Sequence, residues 1–163
     1  MIQRKQSLWL LLIFIINASS VWLNIPYLQV EGQIEGKVIE DAFADIGFSY
    51  TNIDIAKSRF IKEQNSFLKY DTLLISLFSV ISIFLFKNRK KQKILVNVNY
   101  VLLFIQIILM YYYGLSKRYV DYSPEYNPVI SLIFPLISVW LNYIASKGIK
   151  KDEDLVKSYD RIR

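Results

Sequence analysis

The chain has 163 residues, which suits a single domain; 53% of them are hydrophobic and the mean hydropathy is positive. It holds no cysteine and no histidine. This excludes a disulfide framework, a thiolate nucleophile and a Cys/His zinc or haem site, and no cofactor is expected.

Four stretches contain no Asp, Glu, Lys or Arg: Gln6–Val30, Thr72–Phe86, Ile94–Ser116 and Tyr126–Ser146. A helix needs roughly 20 apolar residues to cross about 30 Å of hydrocarbon. The pattern predicts transmembrane helices over approximately 7–27, 69–87, 94–114 and 127–147. The first begins after Arg4-Lys5 and passes Ala18-Ser19-Ser20, which imitates a cleavable signal peptide. The uncharged run continues through Trp22 to Tyr27, which favours a retained helix. The second is short, and Lys69, Tyr70 and Lys87 extend it by snorkelling. A buried soluble helix is the alternative there. Only Lys87–Lys93 joins it to the third span, so it must return the chain if that span crosses. The expected fold class is an all-α membrane protein, with four transmembrane helices in an antiparallel bundle.

Residues 31–69 form the one sizeable outer segment. Ile46, Phe48 and Tyr50 alternate there, hinting at a short strand, while Ala56, Phe60, Ile61, Phe67 and Leu68 suit a helix leading into span two. A segment of roughly 40 residues buries too little to be stable alone. It is expected to pack on the helix ends or on another subunit.

The net charge of +6 is distributed unevenly. Arg4, Lys5, the Lys87–Lys93 turn and the tail from Lys147 carry 13 of the 20 basic residues. Ten of the 14 acidic residues lie in the two opposite loops. Lys and Arg accumulate in short cytoplasmic loops, so both termini and the Lys87–Lys93 turn are predicted to be cytoplasmic. Residues 31–69 are then periplasmic. The basic turn suits anionic lipid headgroups at the cytoplasmic face, and this explains it without the alternative of nucleic-acid or ribosome contact. Trp22, Tyr27, Tyr111-Tyr112-Tyr113, Tyr119, Tyr122 and Tyr126 form an expected aromatic belt at the outer interface.

No ionisable side chain other than tyrosine falls in the central part of a predicted span, which argues against a pump or proton-coupled carrier. Neutral polar residues do occur, namely Asn17, Asn97, Asn99, Gln106, Ser138 and Asn142, with Ser76, Ser79 and Ser82 repeating on span two. Asn17, Asn97, Gln106, Ser138 and Asn142 are candidates for intramembrane polar packing, which lets helices approach and hydrogen-bond. A polar midplane pocket is the alternative use. Pro135 predicts a mid-span irregularity, and Pro128 a harmless position at the start of span four.

The tail, residues 149–163, places Leu155, Val156, Tyr159 and Ile162 on one helical face, so span four is expected to continue as an amphipathic cytoplasmic helix. Neither an internal repeat, a phosphate-binding glycine loop nor a nucleophile elbow is present in the sequence.

Three regions carry a resemblance: Met1-Ile2-Gln3-Arg4-Lys5-Gln6, Phe86-Lys87-Asn88-Arg89-Lys90, and Phe134-Pro135-Leu136-Ile137 together with the tail Ile149–Arg163. They resemble a family of small four-pass inner-membrane proteins of Bacteroidota, catalogued as a domain of unknown function. Lys5 and Tyr159 depart from its pattern, which has an aliphatic and a small residue there. The resemblance implies four passes and brings no activity or catalytic residues.

The resulting expectation is a non-enzymatic inner-membrane protein surrounded by the bilayer, serving as an accessory or structural subunit of a larger membrane complex. Protein translocation and envelope biogenesis are candidate settings. Its candidate docking residues for a membrane-protein partner are Arg4, Lys87, Arg89, Lys90, Lys91, Leu155, Val156, Tyr159, Arg161 and Arg163. The alternative is a small-molecule or lipid-binding carrier built on the midplane polar residues.

Overall fold

The computed structural model describes residues 5–35, 39–55 and 59–161, with side chains over 6–34, 40–55, 60–86 and 88–154. Helix α1 spans Lys5–Trp22. It stops where Asn24 takes a left-handed conformation (φ 45°), a region asparagine tolerates better than most residues. Pro26, which lacks the N–H a helix needs, then opens a strand.

Four strands follow: β1 (Pro26–Glu35), β2 (Ile39–Gly47), β3 (Tyr50–Ile55) and β4 (Arg59–Gln64). Helix α2 is Ser66–Phe84, and a short 3-10 turn, Leu85–Lys87, leads into α3 (Arg89–Tyr111). A π-helical turn, Tyr112–Ser116, extends α3. Strand β5 (Tyr122–Pro128) and a 3-10 turn at Ile130–Ile133 precede α4 (Phe134–Arg161).

The strands form one antiparallel sheet in the order β4-β3-β2-β1-β5. This overturns the all-α expectation. Strand pairing supplies the segment after α1 with hydrogen bonds that an unstructured loop would leave to water. The alternation of Ile46, Phe48 and Tyr50, expected as one short strand, instead straddles a turn, with Ile46 in β2, Phe48 in the bend and Tyr50 opening β3. The strand alternation runs the other way, through buried Ala42, Ala44 and Ile46. Phe60 and Ile61, expected in a helix, belong to β4, whereas Phe67 and Leu68 do begin α2; Ala56 lies outside the described residues. Tyr126 and Pro128 belong to β5 rather than to span four. Pro135 consequently sits in the first turn of α4, where its missing N–H is harmless, and the irregularity is the 3-10 turn before it.

The sheet alone would be a thin layer with one apolar face. That face (Val30, Ala44, Ile46 and Ile53 among others) packs against Leu68 of α2, Met110 and Tyr113 at the end of α3, and Tyr119 and Val120. A second apolar cluster lies within the helices, where α1 touches α2 and α4, and α3 touches α2 and α4. The four helices thus form a bundle with the sheet at one end. Segments Ser66–Phe84, Arg89–Ser116 and Ile130–Asp154 are long and apolar enough to cross a membrane; Gln6–Trp22 is a shorter apolar helix. The expected first span therefore ends at Trp22, and Tyr27 lies in the sheet core.

Candidate functional site

Polar side chains on the inward faces of all four helices meet at one point. Gln106 Nε2 of α3 donates to Asn17 Oδ1 of α1 (3.1 Å) and to Thr72 Oγ1 of α2 (2.9 Å). Asn17 Nδ2 donates to Ser138 Oγ of α4 (3.2 Å) and back to Ile13 O of its own helix (2.9 Å). Thr72 Oγ1 donates to Leu68 O at 2.8 Å. One hydrogen-bonded node therefore links every helix of the bundle.

The node is one rung of a ladder. Buried Gln92, Asn99 and Gln106 recur every seven residues on α3, the spacing that keeps one helix face toward its neighbour. Gln92 Nε2 donates to Ser82 O (3.0 Å) and Asn99 Nδ2 to Ser79 Oγ (3.0 Å), so each rung ends on α2. Asn142 Nδ2 of α4 donates to Val96 O of α3 at 3.0 Å.

Of the five residues expected to pack inside, Asn17, Gln106 and Ser138 share the node, Asn142 makes its own α3–α4 contact, and Asn97 lies exposed on the outward face of α3. Asn99 occupies the interior instead, because the inward positions follow the seven-residue spacing from Gln92 and Gln106. Thr72 and Gln92 escaped the sequence reading, and that same spacing was the signal for Gln92. Asp71, one of the ten acidic residues expected in the outer loops, is buried in the second turn of α2, and its Oδ2 has no hydrogen-bond partner among the described residues.

The outward faces of the same helices carry the opposite chemistry. Leu8, Leu11 and Ile15 of α1, Leu77 and Ile81 of α2, Phe104 and Ile108 of α3, and Leu136 and Trp140 of α4 are exposed.

At the end away from the sheet, three helices are tied by charge. Arg89 donates to Asp152 O at 2.5 Å, Lys93 pairs with Glu153 at 3.8 Å, and Gln6 of α1 hydrogen-bonds the Asp152 carboxylate. Lys90 and Lys91 remain exposed on the first turn of α3. Cations at a helix N-terminus oppose the helix dipole. Asn88 offsets part of this by accepting the Lys91 N–H at 3.2 Å. Arg4 and Arg163 lie outside the described residues, and for Lys87, Leu155, Val156, Tyr159 and Arg161 the backbone alone is described. That backbone is helical through Arg161, as expected for the tail.

A profile of the family described as Domain of unknown function (DUF4293) matches residues 2–162. The chain belongs to that family. No curated protein matches it at a significant level. The matched span includes the inner turn and the tail, two of the regions that carried the resemblance, and the description assigns no activity.

The sheet end of this family member is electrostatically distinct from the other. Lys117 hydrogen-bonds Glu63, and this bond raises the Lys117 pKa. Burial pushes the Tyr27 hydroxyl well above the ordinary tyrosine value and raises that of Tyr119, and Tyr27 donates to Met110 O at 3.2 Å. Of the aromatic residues expected at an interface, Trp22, Tyr111, Tyr112, Tyr122 and Tyr126 are exposed, whereas Tyr27, Tyr113 and Tyr119 are core residues. A cleft of about 850 Å³ is lined by the carboxylates of Glu31, Asp41, Asp54 and Glu125. A second, of about 350 Å³, lies beside Lys117 and Tyr119, and a third, of about 580 Å³, lies where β3 and β4 meet the ends of α1 and α2.

Proposed function

We propose that the chain is a non-enzymatic, four-pass protein of a bacterial inner membrane, of the kind found in Bacteroidota, and that it serves as an accessory subunit of a larger membrane complex. The observation that carries the membrane reading is the apolar outer surface of the bundle: large apolar side chains stand exposed on every one of the four helices, while the interior mixes amides and hydroxyls with a smaller apolar cluster. In water such faces would form apolar patches far larger than monomers tolerate. In lipid they are solvated, and the polar interior supplies helix–helix hydrogen bonds. The exposed Leu8, Leu11 and Ile15 support α1 as the fourth crossing; its 18 residues reach about 27 Å, close to the thickness of the hydrocarbon core.

Basic residues at the end opposite the sheet support a cytoplasmic placement of the Lys87–Lys93 turn and of both chain ends. Docking on that face is supported by the continuation of α4 through Arg161, braced by Arg89, Lys93 and Gln6. A brace of this kind presents a partner with a rigid charged platform. Protein translocation and envelope biogenesis remain the settings we propose for such a subunit. Purification of a tagged chain in mild detergent is expected to recover stoichiometric membrane-protein partners, and deletion of residues 155–163 is expected to release them. A lone monomer after gentle cross-linking in the native membrane would overturn the docking role.

A further inference from the structure

Where the sheet meets the helices, one cavity joins two chemistries that rarely share a wall. Its lower side is apolar, formed by Ala18 and Val21 of α1 and Leu73 of α2, with Trp22 almost wholly exposed at the rim. Its upper side carries two cations, Lys62 of β4 and Lys69 in the first turn of α2. The volume of about 580 Å³ lies within the range of small-ligand sites. Glu31, Asp41, Asp54 and Glu125 of the same sheet line a different cleft, and this one has no carboxylate among its lining residues.

The cavity is preformed by the fold. Its roof is the β2–β3 turn, clamped to the end of α1 by Asn24. The Asn24 amide oxygen accepts the N–H groups of Ser49 (2.9 Å) and Tyr50 (3.0 Å), and its amide nitrogen donates to Tyr50 O (3.1 Å). The Ser49 hydroxyl donates to Val21 O at 2.7 Å, satisfying a carbonyl at the helix end. Gly47 is required beside this clamp, since a Cβ there would sit 2.4 Å from Asn24 Oδ1. The Lys62 ammonium is held 3.5 Å from the centroid of the Tyr50 ring, an arrangement that fixes a cation at the cavity mouth.

We propose that this cavity binds one anionic phospholipid of the outer leaflet, its phosphate between Lys62 and Lys69 and an acyl chain along Ala18, Val21 and Leu73. This rests on the membrane reading above, which places the ends of α1 and α2 at headgroup depth. Two lysines beside an apolar trough match a molecule with a charged phosphodiester next to a hydrocarbon tail, and each cation at such a surface favours an anionic lipid.

The test uses the full chain in nanodiscs and native mass spectrometry after detergent release, with equal phosphatidylglycerol and phosphatidylcholine. The wild type is expected to retain phosphatidylglycerol preferentially. Lys62→Gln with Lys69→Gln is expected to lower that preference on the order of fivefold per lysine. Lys62→Arg with Lys69→Arg should keep it, and Arg118→Gln, which neutralises an exposed cation outside this cavity, should leave it unchanged. Equal retention of both lipids, or retention untouched by the Lys62/Lys69 neutralisation, overturns the site. Displacement of the lipid by millimolar inorganic phosphate makes it a phosphate pocket and overturns the lipid assignment. A chain that fails to enter nanodiscs at all contradicts the membrane reading instead, so the two failures are distinguishable.

Discussion

Within the bundle, the inward positions of α3 include Gln92, Asn99 and Gln106, while Phe104 and Ile108 face outward. The sheet differs in what it turns outward: both regions bury apolar side chains, Val96 and Leu103 in the bundle and Val30, Ala44, Ile46 and Ile53 in the sheet, but the sheet's other face carries Gln29, Glu31, Asp45 and Asn52. A folded chain buries whatever its surroundings solvate worst. On the membrane reading proposed above, the bundle and the sheet, joined covalently at Asn24 and Asn65, answer to two different solvents. Even the junction residues show the change of regime. Asn65 Nδ2 donates to Gly47 O at 2.8 Å, and its own N–H donates to Ser49 O at 3.0 Å, so side-chain amides close the backbone bonds where strand becomes helix.

The sharpest way to break the comparison is to place the same charge on an exposed aromatic in each region. Phe104→Asp, at the middle of α3, is expected to cost about 3 kcal/mol of membrane insertion. Phe60→Asp, at a likewise exposed position on β4, should stay within about 0.5 kcal/mol of wild type. Carbonate extraction of membranes measures the first, and thermal melting of purified protein the second. Equal tolerance at both positions would mean that one solvent surrounds both regions.

A smaller effect is expected from the interior. Gln106→Leu preserves volume but removes the two hydrogen bonds that join α3 to α1 and α2. In a lipid-embedded bundle this should lower stability by about 1–3 kcal/mol, read as a shift in the midpoint of detergent-induced unfolding. Asn97→Leu, on the outward face, should show no loss.

The smallest expected effect distinguishes the regions by pH. Tyr27, Tyr119 and Lys117 all have raised pKa values in the folded sheet. A raised folded value contributes stability that is fully present below the unfolded value, about 10 for each, and is lost as pH rises through the folded value. Alkaline titration should therefore loosen the sheet above about pH 10, with Tyr27 and Tyr119 ionising late in tyrosinate absorbance. Loss of stability starting near neutrality would contradict this assignment.

Much of the bundle was legible in the sequence because its helices carry long uncharged runs, and the blocks around Leu77, Phe104 and Trp140 stand out against their charged flanks. The sheet was not. Its outer face is charged at Glu31, Asp45 and Asp54, which breaks each strand's apolar signal, and β5 joins β1 from the far side of α2 and α3. Absence of charge also hid the break at Asn24 and Pro26, since the uncharged run continues to Val30 although the helix ends at Trp22. Inside the bundle, composition identified Asn17, Gln106, Ser138 and Asn142, but choosing Asn99 over Asn97 required the phase of α3. Asp71 was missed for the converse reason: a charged residue ended the uncharged run, yet the helix buries it.

The most direct test of two solvents uses the natural absence of cysteine. Single cysteines at Phe60, Phe104 and Lys90 are probed in sealed inner-membrane vesicles of known orientation with a membrane-impermeant maleimide. The account predicts that Phe60→Cys and Lys90→Cys react from opposite sides, while Phe104→Cys stays unlabelled even after the membrane is made leaky without being dissolved. Labelling of Phe104→Cys at the rate of Phe60→Cys, or reaction of Phe60→Cys and Lys90→Cys from one side, would contradict it.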